Sequence, residues 1–277
     1  MSLTKEQLSI LELQMGQAYL NSNRRLISGP VSREIGNLLS AVSSMSPEEQ
    51  VSVIRRAVPV LVAKYRGATE LLSAQHFSDS RSMAIDSGIS LPRRASILRI
   101  LPSDMSASLI DGGVSRTMAG VAQILVEGKT LRDIGPSVVT QISKTIQDFG
   151  RSLANANIAS DASTKVTPRR RVRGQGCEFC KTMVLVESQA EISFHRDCGC
   201  QVSASFSGVN PLDASMVGTQ QLYEKALASL RLQTVERDVV RVGSDGVRTA
   251  RTVVDPSPTT MANIQAEMRR IIGENTV

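Results

Sequence analysis

The sequence predicts a mainly α fold: an N-terminal helical domain over residues 1–160, a small α+β module over 161–208, and a C-terminal arm of helix, β-hairpin and helix over 209–277. Three observations carry this reading. Apolar residues make up 41% of the 277, yet aromatics make up only 3% and Trp is absent. Cores must then be built from Leu, Ile, Val, Ala and Met, which suits helices packed on helices better than an aromatic-rich sandwich. Apolar residues recur at helical spacing behind recognisable caps through the first 160 positions. All four cysteines, and one of the two histidines, crowd between Cys177 and Cys200.

Thr4-Lys5-Glu6-Gln7 is a capping-box pattern that opens a helix to about Leu26, with Leu8, Leu11, Met15, Tyr19 and Leu20 as its apolar positions. Gly29-Pro30 is expected to break it. A second helix, about Ser32 to Ser43, carries Ile35, Leu38, Leu39 and Val42 on one face. Ser46-Pro47-Glu48-Glu49 starts a third, with Pro at the first helical position; Pro59 is expected to kink it before it ends near Gln75. Residues 88–103 read as a linker, interrupted by Gly88, Pro92 and Pro102. Helix from about Met105 to Glu127 follows, in one or two pieces because of Gly112-Gly113, and Gly128 ends it. Thr130 to Asp133 opens the last helix of the domain, which runs through Ile142, Ile146, Phe149 and Leu153. These faces are expected to pack on one another. His76, a lone histidine with no nucleophile motif beside it, is assigned no role.

Ser160 to Gly176 is the expected boundary. Lys165, Arg169, Arg170, Arg171 and Arg173 place five positive charges in nine residues, enough to grip phosphates or to guard a strand edge, and Arg171-Val172-Arg173 could itself be a strand. The net charge of +6 permits contact with nucleic acid or an acidic surface.

Next come Cys177-Glu178-Phe179-Cys180 and His195-Arg196-Asp197-Cys198-Gly199-Cys200. Two residues between cysteines form a tight knuckle that turns both sulfurs to one ion, and His195-x2-Cys198 can close a tetrahedron from the other side. Thiolate and imidazole suit Zn²⁺. The pseudo-symmetric set is Cys177, Cys180, His195 and Cys198. Cys200 shares a face with Cys198 in an extended chain, so the choice of four among five stays open. A pair of disulfides would suit a secreted protein, but no signal-peptide pattern opens the chain; a redox Cys-x-x-Cys expects a thioredoxin-like βαβ context, which is lacking. Structural zinc is the expectation, giving the module a small metal-held core separate from that of the helices. Met183 to Val186 and Val202 to Phe206 read as its strands.

Gly176 to Met183, then Phe194 to Cys200 and Val202, resembles the cysteine-histidine module of phage minor capsid proteins of the Mu-F-like (head morphogenesis) class. The resemblance covers about residues 160–206 by motif and the whole chain by layout. Where that class commonly has Arg between the last two cysteines, this chain has Gly199. The resemblance implies a virion protein assembled in the bacterial cytoplasm, a structural zinc site, and the portal or major capsid protein as partner.

Asp213 to about Val235 reads as a helix, Val239–Val242 and Val247–Val254 as a hairpin turning at Asp245-Gly246, and Thr259 to Ile272 as a final helix. No apolar run reaches the length of a membrane span. There is no phosphate-binding Gly-rich loop, no Gly-x-Ser-x-Gly elbow and no His-Glu-x-x-His, so the chain is expected not to be an enzyme and to take no small-molecule substrate. Three functions compete: a structural capsid protein, a zinc-containing protein on packaged DNA, and a metal-dependent hydrolase. The first is the expectation.

Overall fold

The computed structural model describes residues 3–91, 97–161, 166–171, 200–208, 214–232, 234–242, 248–256 and 261–274. They fall into two compact units, one drawn from Met1–Gly174 with Ser188–Pro211, the other from Gln175–Glu187 with Leu212–Val277.

The first unit is mainly helical. Helix α1, Lys5–Leu26, starts at a complete capping box: Gln7 N–H donates to Thr4 Oγ1 and the Gln7 side chain accepts from Thr4 N–H. Gly29-Pro30 does not break the chain. Ile27–Val31 instead form a π-helical turn that passes directly into α2, Ser32–Val42. The wider turn takes up the proline, and the Ser28 and Ser32 hydroxyls donate to the carbonyls of Arg24 and Ile27 at 2.8 and 2.7 Å. Helix α3, Pro47–Asp86, opens with the Ser46/Glu49 capping box and runs unbroken for 40 residues, past both Pro59 and Gln75. Pro59 is half-buried and Arg55, whose carbonyl loses its partner to the proline, is exposed, so water can take that bond. Helices α4, Ser103–Val121, and α5, Gln123–Glu127, follow, and Gly128 stops the latter at φ +62°, where a side chain would be strained. Helix α6, Leu131–Ser160, starts at the Thr130/Asp133 box and runs through Pro136.

Helix α6 is the centre of the unit. Its Ile134, Val138, Ile142, Ile146, Phe149 and Leu153 are buried against Val51, Ile54, Val58 and Val62 of α3 and Val31, Ile35 and Val42 before it. The segment leading into α4 is pinned to this core rather than looped away. Asn157 accepts from Leu98 N–H and donates to Leu98 C=O, both at 2.9 Å, and Glu70 accepts from Leu101 N–H at 3.1 Å.

Two strands join the same unit. β1, Thr167–Arg171, pairs antiparallel with β2, Gln201–Ser205, in a register that sets Arg171 opposite Gln201. Val202, Ala204 and Phe206 pack with Leu8 of α1, Phe77 and Ala84 of α3, and Ala154 and Ile158 of α6. The Phe77 and Phe206 rings lie 6.1 Å apart, tilted by 60°. The strands on either side of the Cys/His stretch therefore share a core with the helices, where the sequence led us to expect a separate one.

In the second unit, α7, Ala214–Leu232, packs on α8, Met261–Glu274, through Ala226, Leu230, Ile264 and Met268. Ser229 Oγ donates to Glu267 at 2.6 Å. Between the helices lies the expected hairpin, β3 Thr234–Val242 and β4 Arg248–Pro256. Val235, expected to end the helix, is already in β3. Val242 pairs with Arg248, and the Asp245-Gly246 turn lies outside the described residues.

Candidate metal-binding stretch and its anchorage

Of the five candidate ligands, Cys177, Cys180, His195 and Cys198 lie outside the described residues, as do Met183–Val186; Cys200 is the one that is placed. It is 2% exposed, and its carbonyl accepts from Arg151 Nε at 2.9 Å. Among the described residues, no three His, Cys, Asp or Glu side chains gather as a metal set. What the structure does show is how both ends of the stretch are held. Arg171 precedes it, Cys200 ends it, and the pairing of Arg171 with Gln201 closes its base.

The base is secured by charge as well as by β pairing. Strand alternation sends Val202 and Ala204 to the apolar core and Gln201, Ser203 and Ser205 to the opposite face. On that face Glu12 of α1, 1% exposed, gathers four hydrogen bonds from the end of β2. Its Oε2 accepts from the hydroxyls of Ser205 and Ser207, both at 2.8 Å, and its Oε1 from the N–H groups of Phe206 at 2.6 Å and Ser207 at 3.1 Å. Arg171, 3% exposed, donates from Nε to Ser203 Oγ at 2.6 Å and from Nη2 to the Glu12 carbonyl at 3.4 Å. Burial pulls the Arg171 guanidinium down to about 10, Glu12 opposing and Arg169 adding to the shift, so it remains charged at neutral pH. Gly16 makes the room: a Cβ there would stand 2.4 Å from Arg171 Nε. Arg151 of α6, likewise 3% exposed, adds Asp148 at 2.7 Å and Gln147 at 3.3 Å to its bond with Cys200.

These placements bear on two of the five residues of the basic run. Arg169 and Arg171 are buried, Lys165 and Arg173 lie outside the described residues, and so does the side chain of Arg170. The phosphate-gripping role expected of Arg169 and Arg171 does not fit, because a buried guanidinium cannot also face a nucleic-acid backbone. Glu12, Arg151, Ser203, Ser205 and Ser207 went unremarked in the sequence. Their partners lie up to 195 residues away, and no local pattern announces such pairs.

His76 stacks on Tyr19 beside this layer, ring centroids 4.6 Å apart and planes within 8°. Burial, reinforced by the charge of Arg171, pulls His76 from 6.5 to about 3. The folded protein thus keeps it neutral, whereas the unfolded chain protonates it below about pH 6.5, so its contribution to stability falls as pH drops from about 6.5 towards 3. At pH 5 the loss relative to pH 7 should be about 2 kcal/mol. Urea unfolding of wild type and His76→Phe at both pH values tests this: the variant should lose about 2 kcal/mol less on acidification, and equal losses would refute the assignment.

A family model described as VG15 protein matches residues 14–226, from within α1 to within α7, and so spans the anchor, the strands and the Cys/His stretch. No curated protein and no solved structure matches the chain. With most of its length matched, the chain belongs to the VG15 protein family, a viral gene 15 family.

Proposed function

We propose that this protein is a structural minor capsid (head morphogenesis) protein of a tailed bacteriophage, assembled with the portal or the inner shell, and that it holds one structural Zn²⁺. The observation that carries the reading is the Cys/His spacing, which resembles that of the Mu-F-like class, in a chain of a viral family. The donor set fits the ion: thiolates and an imidazole, with enough ligands to leave no open position for water. Cys177, Cys180, His195 and Cys198 are the proposed ligands. Cys200 has the strand parity of Val202 and Ala204, which face the helical core, and its backbone is tied to Arg151. Bound zinc would tie the two halves of the Cys/His motif to one ion, a scaffold role that needs no catalytic group. No described helix is long and apolar enough to cross a membrane, in keeping with a protein built into a particle.

The burial of Arg169 and Arg171 weakens the alternative of a protein acting on packaged DNA, and no described cluster favours a hydrolase. Electron cryomicroscopy and quantitative mass spectrometry of assembled particles test the reading. The expected result is a few copies near the portal vertex, against many of the major shell protein; absence from purified particles would overturn it. Deleting the first 45 residues is not a clean probe of docking, because it removes Glu12 and with it the anchor of β2.

A further inference from the structure

Helix α3 carries a seam that the described residues leave largely exposed. Val60, Leu71 and Ile85 are 67%, 61% and 47% exposed, and a Cβ added to Gly67 would meet nothing within 4 Å. At 100° per residue these positions, with half-buried Val53 and Ser78, lie within about 20° of one line along the helix. The spacing is palindromic. Val53, Val60 and Gly67 are each seven residues apart, as are Leu71, Ser78 and Ile85, and four residues separate the two sets.

We propose that α3 pairs antiparallel with α3 of a second copy of this chain, about a two-fold axis level with Thr69. That axis sets Leu71 of each copy against Gly67 of the other, Val60 against Ser78 and Val53 against Ile85. The branched Leu71 side chain then fills the space that the missing Cβ leaves, twice per dimer, as knobs fill holes in a coiled coil. A helix interior favours almost any residue over Gly, so an exposed Gly67 is explained by close approach of a partner rather than by the monomer.

Charge agrees with the axis. Lys64, Gln75 and Asp79 lie on the same flank of the seam. The antiparallel arrangement brings Lys64 of one copy level with residue 74 of the other, next to Gln75 and Asp79. Lys64 is bonded to Glu34 yet 56% exposed, so a second acceptor has access to it. The seam is about 50 Å long and about 10 Å wide. At roughly 500 Å² per copy it belongs to the class of weak, concentration-dependent dimers, suited to an assembly where copies are held close together. The proposal stands independently of the capsid reading.

Sedimentation of the full-length protein over a wide concentration range tests it, together with lysine cross-linking. Wild type should form a concentration-dependent dimer that yields a Lys64–Lys64 cross-link, which only two copies can give. Ile10→Glu, at an exposed position on α1, should leave the dimer intact. Leu71→Glu should raise the dimer Kd at least about tenfold. Gly67→Leu should raise it similarly while leaving the thermal midpoint of the monomer unchanged or higher, since the monomer has room for the side chain. A monomer at every concentration would overturn the proposal. So would a dimer lacking the Lys64–Lys64 cross-link, or a Gly67→Leu variant that associates more tightly, the mark of an unspecific apolar patch. Cross-links seating residues 212–277 of the same chain on Lys64 would assign the seam to an intramolecular occupant and overturn it equally.

Discussion

Glu12→Leu should destabilise the helical unit by about 3–5 kcal/mol. The substitution leaves the Ser205 and Ser207 hydroxyls and the Phe206 and Ser207 N–H groups without their acceptor, in a layer where water has little access. It also removes the negative charge that faces the buried Arg171 guanidinium. Removing one of two facing buried charges is costly because the other stays behind uncompensated. Urea unfolding followed by circular dichroism measures the cost, and hydrogen exchange of residues 201–207 locates it. A cycle with Arg171→Met separates the terms. If the two residues act as one unit, Glu12→Leu with Arg171→Met should cost clearly less than the sum of the single changes. A Glu12→Leu variant within about 1 kcal/mol of wild type would show that the clamp is not what holds β2.

Such a clamp could not have been read from the sequence, while much of its surroundings could. Helix starts are local: Thr4 with Gln7, Ser46 with Glu49 and Thr130 with Asp133 each carry their own signal within four residues, and each forms the box its spelling implies. The stop at Gly128 is equally local. The apolar face of α1 was legible in part: Leu8, Tyr19 and Leu20 are buried, but Leu11 and Met15 are half-buried, and Ser9, Glu12 and Asn23 share the buried side. Breakers were over-read. Pro30 and Pro59 both sit inside continuous helix, because a π-turn takes up the first and water can reach the exposed Arg55 carbonyl left by the second. The basic run misled for a different reason. Arg169 and Arg171 look like surface charge, yet both are buried, and around Arg171 the Glu12 carbonyl, Ser203 and the gap at Gly16 come together across as many as 159 residues. At the candidate metal centre the sequence supplies residue types and spacing, and four of the five candidates lie outside the described residues. That the base is built into the helical core was not legible, since it depends on where β1 and β2 dock.

That docking sharpens what loss of metal should do. One Zn²⁺ per chain should copurify under reducing conditions, and Cys177→Ser, Cys180→Ser or His195→Ala should abolish stoichiometric binding. Free energy of about 10 kcal/mol or more resides in comparable structural zinc sites, so residues 172–199 should lose their protection from proteolysis when the ion is removed by a chelator. The damage should stop at the base. Arg171 and Cys200 are held by Glu12, Ser203 and Arg151 through bonds that involve no metal, so the helical signal and the exchange protection of β2 should persist in the stripped protein. Cys200→Ser should keep the ion, because a residue with the strand parity of Val202 and Ala204 is committed to the core side, and its cost should appear as a modest loss of stability instead. Elemental analysis with limited proteolysis distinguishes the outcomes. A chain that purifies without metal and with two stable disulfides would sink the zinc proposal. Loss of zinc from Cys200→Ser alone would place Cys200 in the ligand set and displace His195 or Cys198 from it.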